Sequence, residues 1–431
     1  MTKPVNTAAF LTAEKAYPLE IGEAPYPTPI SDEIIVKTAA VAINPVDWVV
    51  QSTAFIPLPY PWILGRDVAG TIVALGPHAP PSLRLGQPVA GLALGFATRD
   101  PAAGAFQTYV KLSPPLIIAP LPPSLAPTLA AVLPLAFATA AGALFEPHLL
   151  GLPLPPADLA PPPPSPNAAA PGRDADDDGP AQTTAPVLLV WGAASSVGSA
   201  ACQLARAAGH AVVATASAAN FGYATSSLGA EAVFDYRRTD VVDAVVGALA
   251  AERRKVVGVV DAVGMGGALE ACLDVAGRVA AAAAAERERG RRGRRGVGEG
   301  DGEGGGGGLL LRVCTVRPLP PPGGLADDAL PEGVECGVVM ATDVRKTRVG
   351  PAVFEGFLPR ALADGRVRCL PEPEVVGVGL GRVQEGMDRL RRGVSAKKLV
   401  VVLREEEEGG GGREEGSLDQ RGEGGGGVRH T

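Results

Sequence analysis

Aromatic side chains are scarce in this 431-residue chain, at 4% of the total, and histidine occurs only four times. His78, His148, His210 and His430 form no cluster with cysteines or carboxylates, so they offer no metal-ligand set and read as surface or loop residues. Cys202, Cys272, Cys314, Cys336 and Cys369 are odd in number, far apart and without a CxxC pair. That excludes a disulfide framework and fits reduced thiols in a cytoplasmic protein. No cationic start with an apolar stretch follows Met1, so no secretory leader is expected. The longest apolar run, residues 129–145, is broken by Pro134 and Gly142 and is too short to cross a bilayer, so no membrane partner is expected. Positive charge is lacking too. The net charge of −7 argues against a nucleic-acid binder that relies on overall basicity.

Glycine (56) and proline (42) are in excess. Three segments concentrate the bias: residues 152–186, with eleven prolines and the patch DADDD; residues 286–308, where arginine and glycine pass into GEGDGEGGGGG; and residues 404–431, built of EEEE and GGGG blocks. Such compositions cannot bury enough apolar surface to fold, so these segments are expected to be disordered. The alternative for the two internal ones is a gene-model artefact such as translated intron sequence. Without these 86 residues, 345 remain, carrying 28 basic and 28 acidic side chains. The core is neutral. RERGRRGRRG (287–296) holds six arginines, but a local basic run is more often a solvated segment, and nucleic acid is not expected as a partner.

The first 120 residues read as short strands and turns: 33–42 (EIIVKTAAVA), 68–75 (VAGTIVAL), 84–94 and 105–111. Residues 129–145 then read as an apolar helix. Beyond the proline-rich segment the rhythm becomes strand–helix–strand. VLLVW (187–191) is a continuous apolar run, as in a parallel strand covered on both faces. A helix is expected over 198–209 and strands over 211–215, 232–235, 258–261, 278–283 and 309–315, which together point to a doubly wound parallel sheet. Helices over 351–363 and 381–392 and a closing strand, 398–403, complete the chain.

The most specific local motif is VLLVWGAASSVGSAACQLARAAG (187–209). Gly192 permits a tight turn after the strand. Ala193, Ala194, Ser195 and Ser196 carry little bulk, so backbone amides can approach a pyrophosphate at the helix N-terminus, and Gly198 lets the helix sit close on the strand. The spacing departs from G-x-G-x-x-G, with Ala194 at the second glycine. An acid at the end of the next strand would bind the ribose hydroxyl of NAD and repel a 2′-phosphate. Here that strand ends Ala214-Thr215-Ala216-Ser217, so NADP(H) is favoured, with Ser217 as a phosphate donor or simply as a turn cap.

With AAVAINPVDW (39–48), LGRDVAGTIVALG (64–76), LPLAFATAAGALF (133–145), VWGAASSVGS (190–199), ATASAANF (214–221), LGAEAVFDYR (228–237), DAVG (261–264) and RLRRGVSAKKLVVVL (389–403), the chain resembles the medium-chain dehydrogenase/reductase superfamily. It is most similar to the zinc-independent quinone oxidoreductase-like proteins and fungal trans-acting enoyl reductases. The resemblance runs through nearly all of the 345-residue core and is specific for fold, weak for substrate. It implies an α/β protein: a GroES-like β-rich partial barrel (1–128), a Rossmann NADP-binding domain (129–340) with disordered insertions 152–186 and 286–308, a return to the catalytic domain (341–403) and a disordered tail (404–431).

Zinc alcohol dehydrogenases have a cysteine where this chain has Asn44 and a histidine where it has Arg66, so no metal is expected. The reaction implied is hydride delivery from NADPH to an activated double bond, quinone or carbonyl of a small molecule, by a monomer or homodimer. The rival is a protein that binds NADPH without turnover, as a sensor or scaffold. By resemblance, Asn44 and Asp47 sit beside the nicotinamide ribose and substrate cleft, and Thr139 contacts the nicotinamide. Ser195, Ser196 and Val197 cradle the pyrophosphate; Ser217, Asn220 and Tyr236 line the adenosine phosphate side; Val263 lies on the nicotinamide ring. Asn44 and Asp47 read alternatively as an Asn-Pro turn, and Thr139 as a hydroxyl bonded to its own helix. Asp67 reads as a structural polar group. Two departures stand out. Val49 and Ala219 occupy positions where related fungal proteins often carry cations, and Arg237 or Arg238 is the candidate substitute for the second.

Overall fold

The computed structural model describes residues 4–156, 185–251, 254–295, 310–316 and 330–403. In the first third the strands are β1 (Asn6–Leu11), β2 (Glu20–Ala24), β3 (Ile34–Ala42), β4 (Trp62–Ile63), β5 (Asp67–Leu75), β6 (Pro88–Leu92), β7 (Tyr109–Leu112) and β8 (Ile118–Pro120). There follow β9 (Val187–Trp191), β10 (Ala211–Ala216), β11 (Ala232–Asp235), β12 (Val256–Asp261), β13 (Leu311–Thr315), β14 (Val334–Val338), β15 (Pro373–Val378) and β16 (Lys398–Val402). The longer helices are α1 (Pro45–Thr53), α2 (Pro134–Phe145), α3 (Ser196–Ala207), α4 (Val241–Ala251), α5 (Ala268–Arg295) and α6 (Val383–Arg392).

The central sheet is parallel throughout, in the order β11-β10-β9-β12-β13-β14. The chain winds outward from β9 in one direction and then returns across it in the other, so the strand order reverses beside the C-terminal end of β9, where doubly wound sheets open a crevice. All five residues of β9 are buried, which explains its unbroken apolar sequence. The second large sheet runs β15-β16-β3-β5-β6-β8, with β7 on β3, and the path does not close among the described strands. β16 pairs antiparallel with β3, so the end of the described chain lies against a strand some 360 residues earlier.

One hydrophobic core joins the two sheets through α2. It takes in Ala40, Ala69 and Leu92 from one sheet, Phe137 and Leu144 from the helix, and Leu188, Val190 and Leu204 from the other side. Pro134 starts α2 at a position where its missing amide costs no hydrogen bond. The helix is apolar on every face because every face is covered. Residues Pro127–Phe145 are long and apolar enough to pass for a membrane span, yet 83% of the most apolar window is buried inside the protein.

Two expectations fail on the same element. The strand expected over 278–283 is the middle of α5, and the helix continues to Arg295, ten residues into a segment expected to be disordered. Alanine has the highest helix propensity, and AGRVAAAAAAERER contains one β-branched residue. Leu269, Cys272, Val275, Ala276 and Ala280 are buried at helical spacing, which anchors the element to the sheet. Residues 296–308, most of 152–186, and 404–431 lie outside the described residues.

Candidate active site

At the end of β9, Gly192 takes φ +85°, and a Cβ there would also lie 2.3 Å from Val263 Cγ2. A Cβ on Gly198 would lie 2.2 Å from the Gly192 carbonyl oxygen. Both positions therefore need glycine for the strand, loop and helix to approach one another. Ser195 is the N-cap of α3: its hydroxyl accepts from the Gly198 amide at 3.0 Å and donates to the Ala262 carbonyl at 3.0 Å. The hydroxyl is thus committed to the fold. The groups left for an anion are backbone amides of the first helical turn, at Ser196 and Val197, which have no acceptor within the helix.

The turn after β12 is held by a residue the sequence reading left without a role. Asp261, fully buried, accepts from the amides of Val263 (3.0 Å) and Gly264 (2.9 Å) and from the Thr315 hydroxyl (2.7 Å). It presents Val263, 38% exposed, against the Gly192 loop.

On the β10 side, the Asn220 side-chain amide donates to Ser217 Oγ at 3.0 Å and to Ser395 Oγ at 2.9 Å, tying this corner to the loop before β16. Ser217 is buried and heads a short 3-10 turn. Tyr236 is exposed, and the Arg237 guanidinium lies 5.6 Å above its ring. Arg238 is held by Asp240 at 2.6 Å. Beside Ser395 a groove of about 310 Å³ is lined by Arg389, Arg392 and Lys397. Arg389 pairs with Glu374, and Lys397 with Glu372 at 2.7 Å.

The second constellation is a sealed polar cluster where β3, α1, β5, α2 and β16 meet. The Asn44 amide donates to Asp67 Oδ2 at 2.9 Å, and its oxygen accepts from Lys398 Nζ at 2.5 Å. Lys398 is also 3.2 Å from Asp67 Oδ2, and Asp67 Oδ1 accepts from the Leu135 amide at the start of α2 at 2.7 Å. Asp47 Oδ2 accepts from the Asn44 backbone amide at 2.8 Å, while its Oδ1 has no partner. Burial, reinforced by the charge of Asp67, pushes the Asp47 carboxyl up to about 7, against the pull of the Asn44 amide, Arg66 and Lys398. Arg66 lies 5.4 Å above the Phe96 ring with Nε unpartnered, and burial draws its pKa down. Thr139 donates to the Leu135 carbonyl at 2.8 Å, so its hydroxyl proton is spent within α2.

The structure therefore brings together Asn44, Asp47 and Thr139's helix in one place, and Gly192, Ser195, Gly198 and Val263 in another. The sequence reading saw Lys398 only as part of a tail motif. Its one signal is a lysine opening the apolar run KLVVVL.

Residues 30–123 match the alcohol dehydrogenase GroES-like domain. Over 402 residues the chain is 38% identical to the dehydrogenase pigH of Monascus ruber, covering 92% of this chain and 99% of that one. The chain belongs to the medium-chain dehydrogenase/reductase superfamily. It is an oxidoreductase by family, of a kind that works with a nicotinamide cofactor. It is also 36% identical over 402 residues to the trans-enoyl reductase himH of Aspergillus japonicus, covering 93% of this chain and 98% of that one. The fold matches the crystal structure of the CurK enoyl reductase with a TM-score of 0.65 at 18% identity, over 93% of this chain and 99% of that one.

Proposed function

We propose that the protein is a zinc-independent, NADPH-dependent reductase of an activated double bond, with enoyl thioesters, enones and quinones as the substrate class. The observation that carries the zinc-independent part of this reading is the donor set of the sealed cluster; the reductase part rests on the relatives. The Asn44 carbonyl oxygen is taken by an ammonium, and the Arg66 guanidinium has no lone pair to give. Among the described residues no group of three or more His, Cys, Asp or Glu is placed to hold a metal ion. The residue types do not fit zinc, so no step is derived through one.

The nucleotide cradle suits a dinucleotide pyrophosphate, because its two glycines let β9, the loop and the start of α3 approach closely and leave first-turn amides for an anion; the choice of NADP(H) rests on the lack of an acid at the end of β10. Gly192, Ser195, Gly198 and the amides of Ser196 and Val197 hold the pyrophosphate. Ser217, Asn220 and Tyr236 receive the adenosine 2′-phosphate, with Arg237, whose guanidinium lies over the Tyr236 ring, as a cation on that side. Val263 supports the nicotinamide, and Asn44, Asp47 and Thr139 border the acceptor. When bound, the cofactor supplies the hydride. The protein's own tasks are to orient the acceptor, exclude water and stabilise negative charge on the acceptor's oxygen, with solvent returning the proton. The test is oxidation of NADPH by the purified full chain against a panel of enoyl thioesters, enones and quinones. Tight NADPH binding with no oxidation on any of them favours the non-turnover reading instead.

A further inference from the structure

Two carboxylates, a guanidinium, an ammonium and an amide share the sealed cluster, and each of these residues is at most 7% exposed. Burying several ionisable groups together costs more in desolvation than their attraction returns unless each is well placed, so such a cluster is weak evidence for stability and better evidence for a task. Two of its atoms, Asp47 Oδ1 and Arg66 Nε, are left buried without partners. The member that organises the rest arrives last in the chain: Lys398 enters from β16 and contacts both Asn44 and Asp67.

We infer that Lys398 is a positioning residue that does here what a metal ion does elsewhere: its fixed ammonium pairs with Asp67 and holds the Asn44 carbonyl oxygen, and so sets the orientation of the Asn44 amide beside an acceptor. The inference rests on the reductase reading. The charged groups acting on Asp47 are Asp67, from β5, which raises its titration, and Arg66, beside the start of β5, and Lys398, from β16, which lower it.

The experiment uses the full chain and three variants: Lys398→Met, Lys398→Arg, and the double variant Lys398→Met/Asp67→Asn, which removes the ion pair as a whole so that Asp67 is not left uncompensated. The expected result is a single-turnover rate about 100-fold lower in the double variant, with NADPH affinity within about threefold of wild type, the loss typical of removing one stabilising donor. Lys398→Arg recovers most of that rate. The Asp47 carboxyl, followed by ¹³C NMR without cofactor and assigned against Asp47→Asn, titrates at higher pH in Lys398→Met and near its original midpoint in the double variant. An unchanged rate in the double variant together with an unmoved Asp47 midpoint in Lys398→Met would overturn the inference. If Lys398→Met does not fold, an unchanged rate in the double variant overturns it alone. If wild type oxidises no NADPH, the reductase reading fails instead, and the NMR titration still decides whether the Lys398 ammonium acts within the cluster.

Discussion

Replacing Gly198 with alanine sets two forces of opposite sign against each other. Gly198 lies in the first turn of α3, and on propensity alone alanine should stabilise a helix by up to about 1 kcal/mol. The added methyl would sit 2.2 Å from the Gly192 carbonyl oxygen and 2.9 Å from Ala193 Cα, both backbone atoms of the loop that reaches back to β9. Neither can swing aside like a side-chain tip, so the helix must move off the strand. Overpacking of this kind costs about 1–3 kcal/mol, and with the propensity gain set against it the net expectation is a loss of up to about 2 kcal/mol. The displacement also moves the first-turn amides that would meet the pyrophosphate, so NADPH affinity should fall by tenfold or more. Urea denaturation with and without NADPH reads both effects, because a ligand at about 100 times its Kd adds about 2.7 kcal/mol to wild-type stability. A variant more stable than wild type that keeps its NADPH stabilisation would show that helix and strand are not in the contact described.

Asp47→Asn tests the buried carboxyl through pH. The folded state holds this proton up to about pH 7, whereas the unfolded chain releases it near 4. Between those values the ionised form is favoured only in the unfolded state, so wild-type stability falls with rising pH by roughly 1.4 kcal/mol per unit from this group. The stability of Asp47→Asn relative to wild type should climb between about pH 4 and 7 and level off above; a pH-independent difference would remove the claim. Ser217→Asp places a carboxylate where a 2′-phosphate would approach. It should weaken NADPH binding at least tenfold while leaving NADH binding little changed, and equal losses for both, measured by fluorescence titration, would contradict the cofactor assignment.

Much of the fold was legible because buried parallel strands and a glycine-bearing loop write themselves locally. VLLVW and the GAASSVG turn need only their own neighbours to be read, and the structure places both as strand and helix start. The error on residues 278–283 has the opposite cause. A run of alanines carries no periodic contrast, and what decides it is the packing of Leu269 through Ala280 along one face of α5. The sealed cluster was legible only in part. Asn44, Asp47 and Asp67 lie within 24 residues of one another, but Lys398 joins them across 354 residues of sequence. No local pattern marks a lysine in an apolar strand as the partner of an asparagine that distant. Asp261 escaped for a related reason, since its carboxylate serves two amides of its own turn and a hydroxyl from β13, a strand fixed only by the tertiary fold.

Reduction of an acceptor by NADPH on this chain's own side chains, with no metal taking part, is open to a direct test. The most direct measurement is NADPH oxidation by purified protein after chelator treatment, with metal content determined on the same sample and enoyl thioesters, enones and quinones offered in turn. Turnover is expected with at least one acceptor at far less than one metal ion per chain, unchanged when zinc is added. Activity that vanishes with the metal and returns with zinc would contradict it.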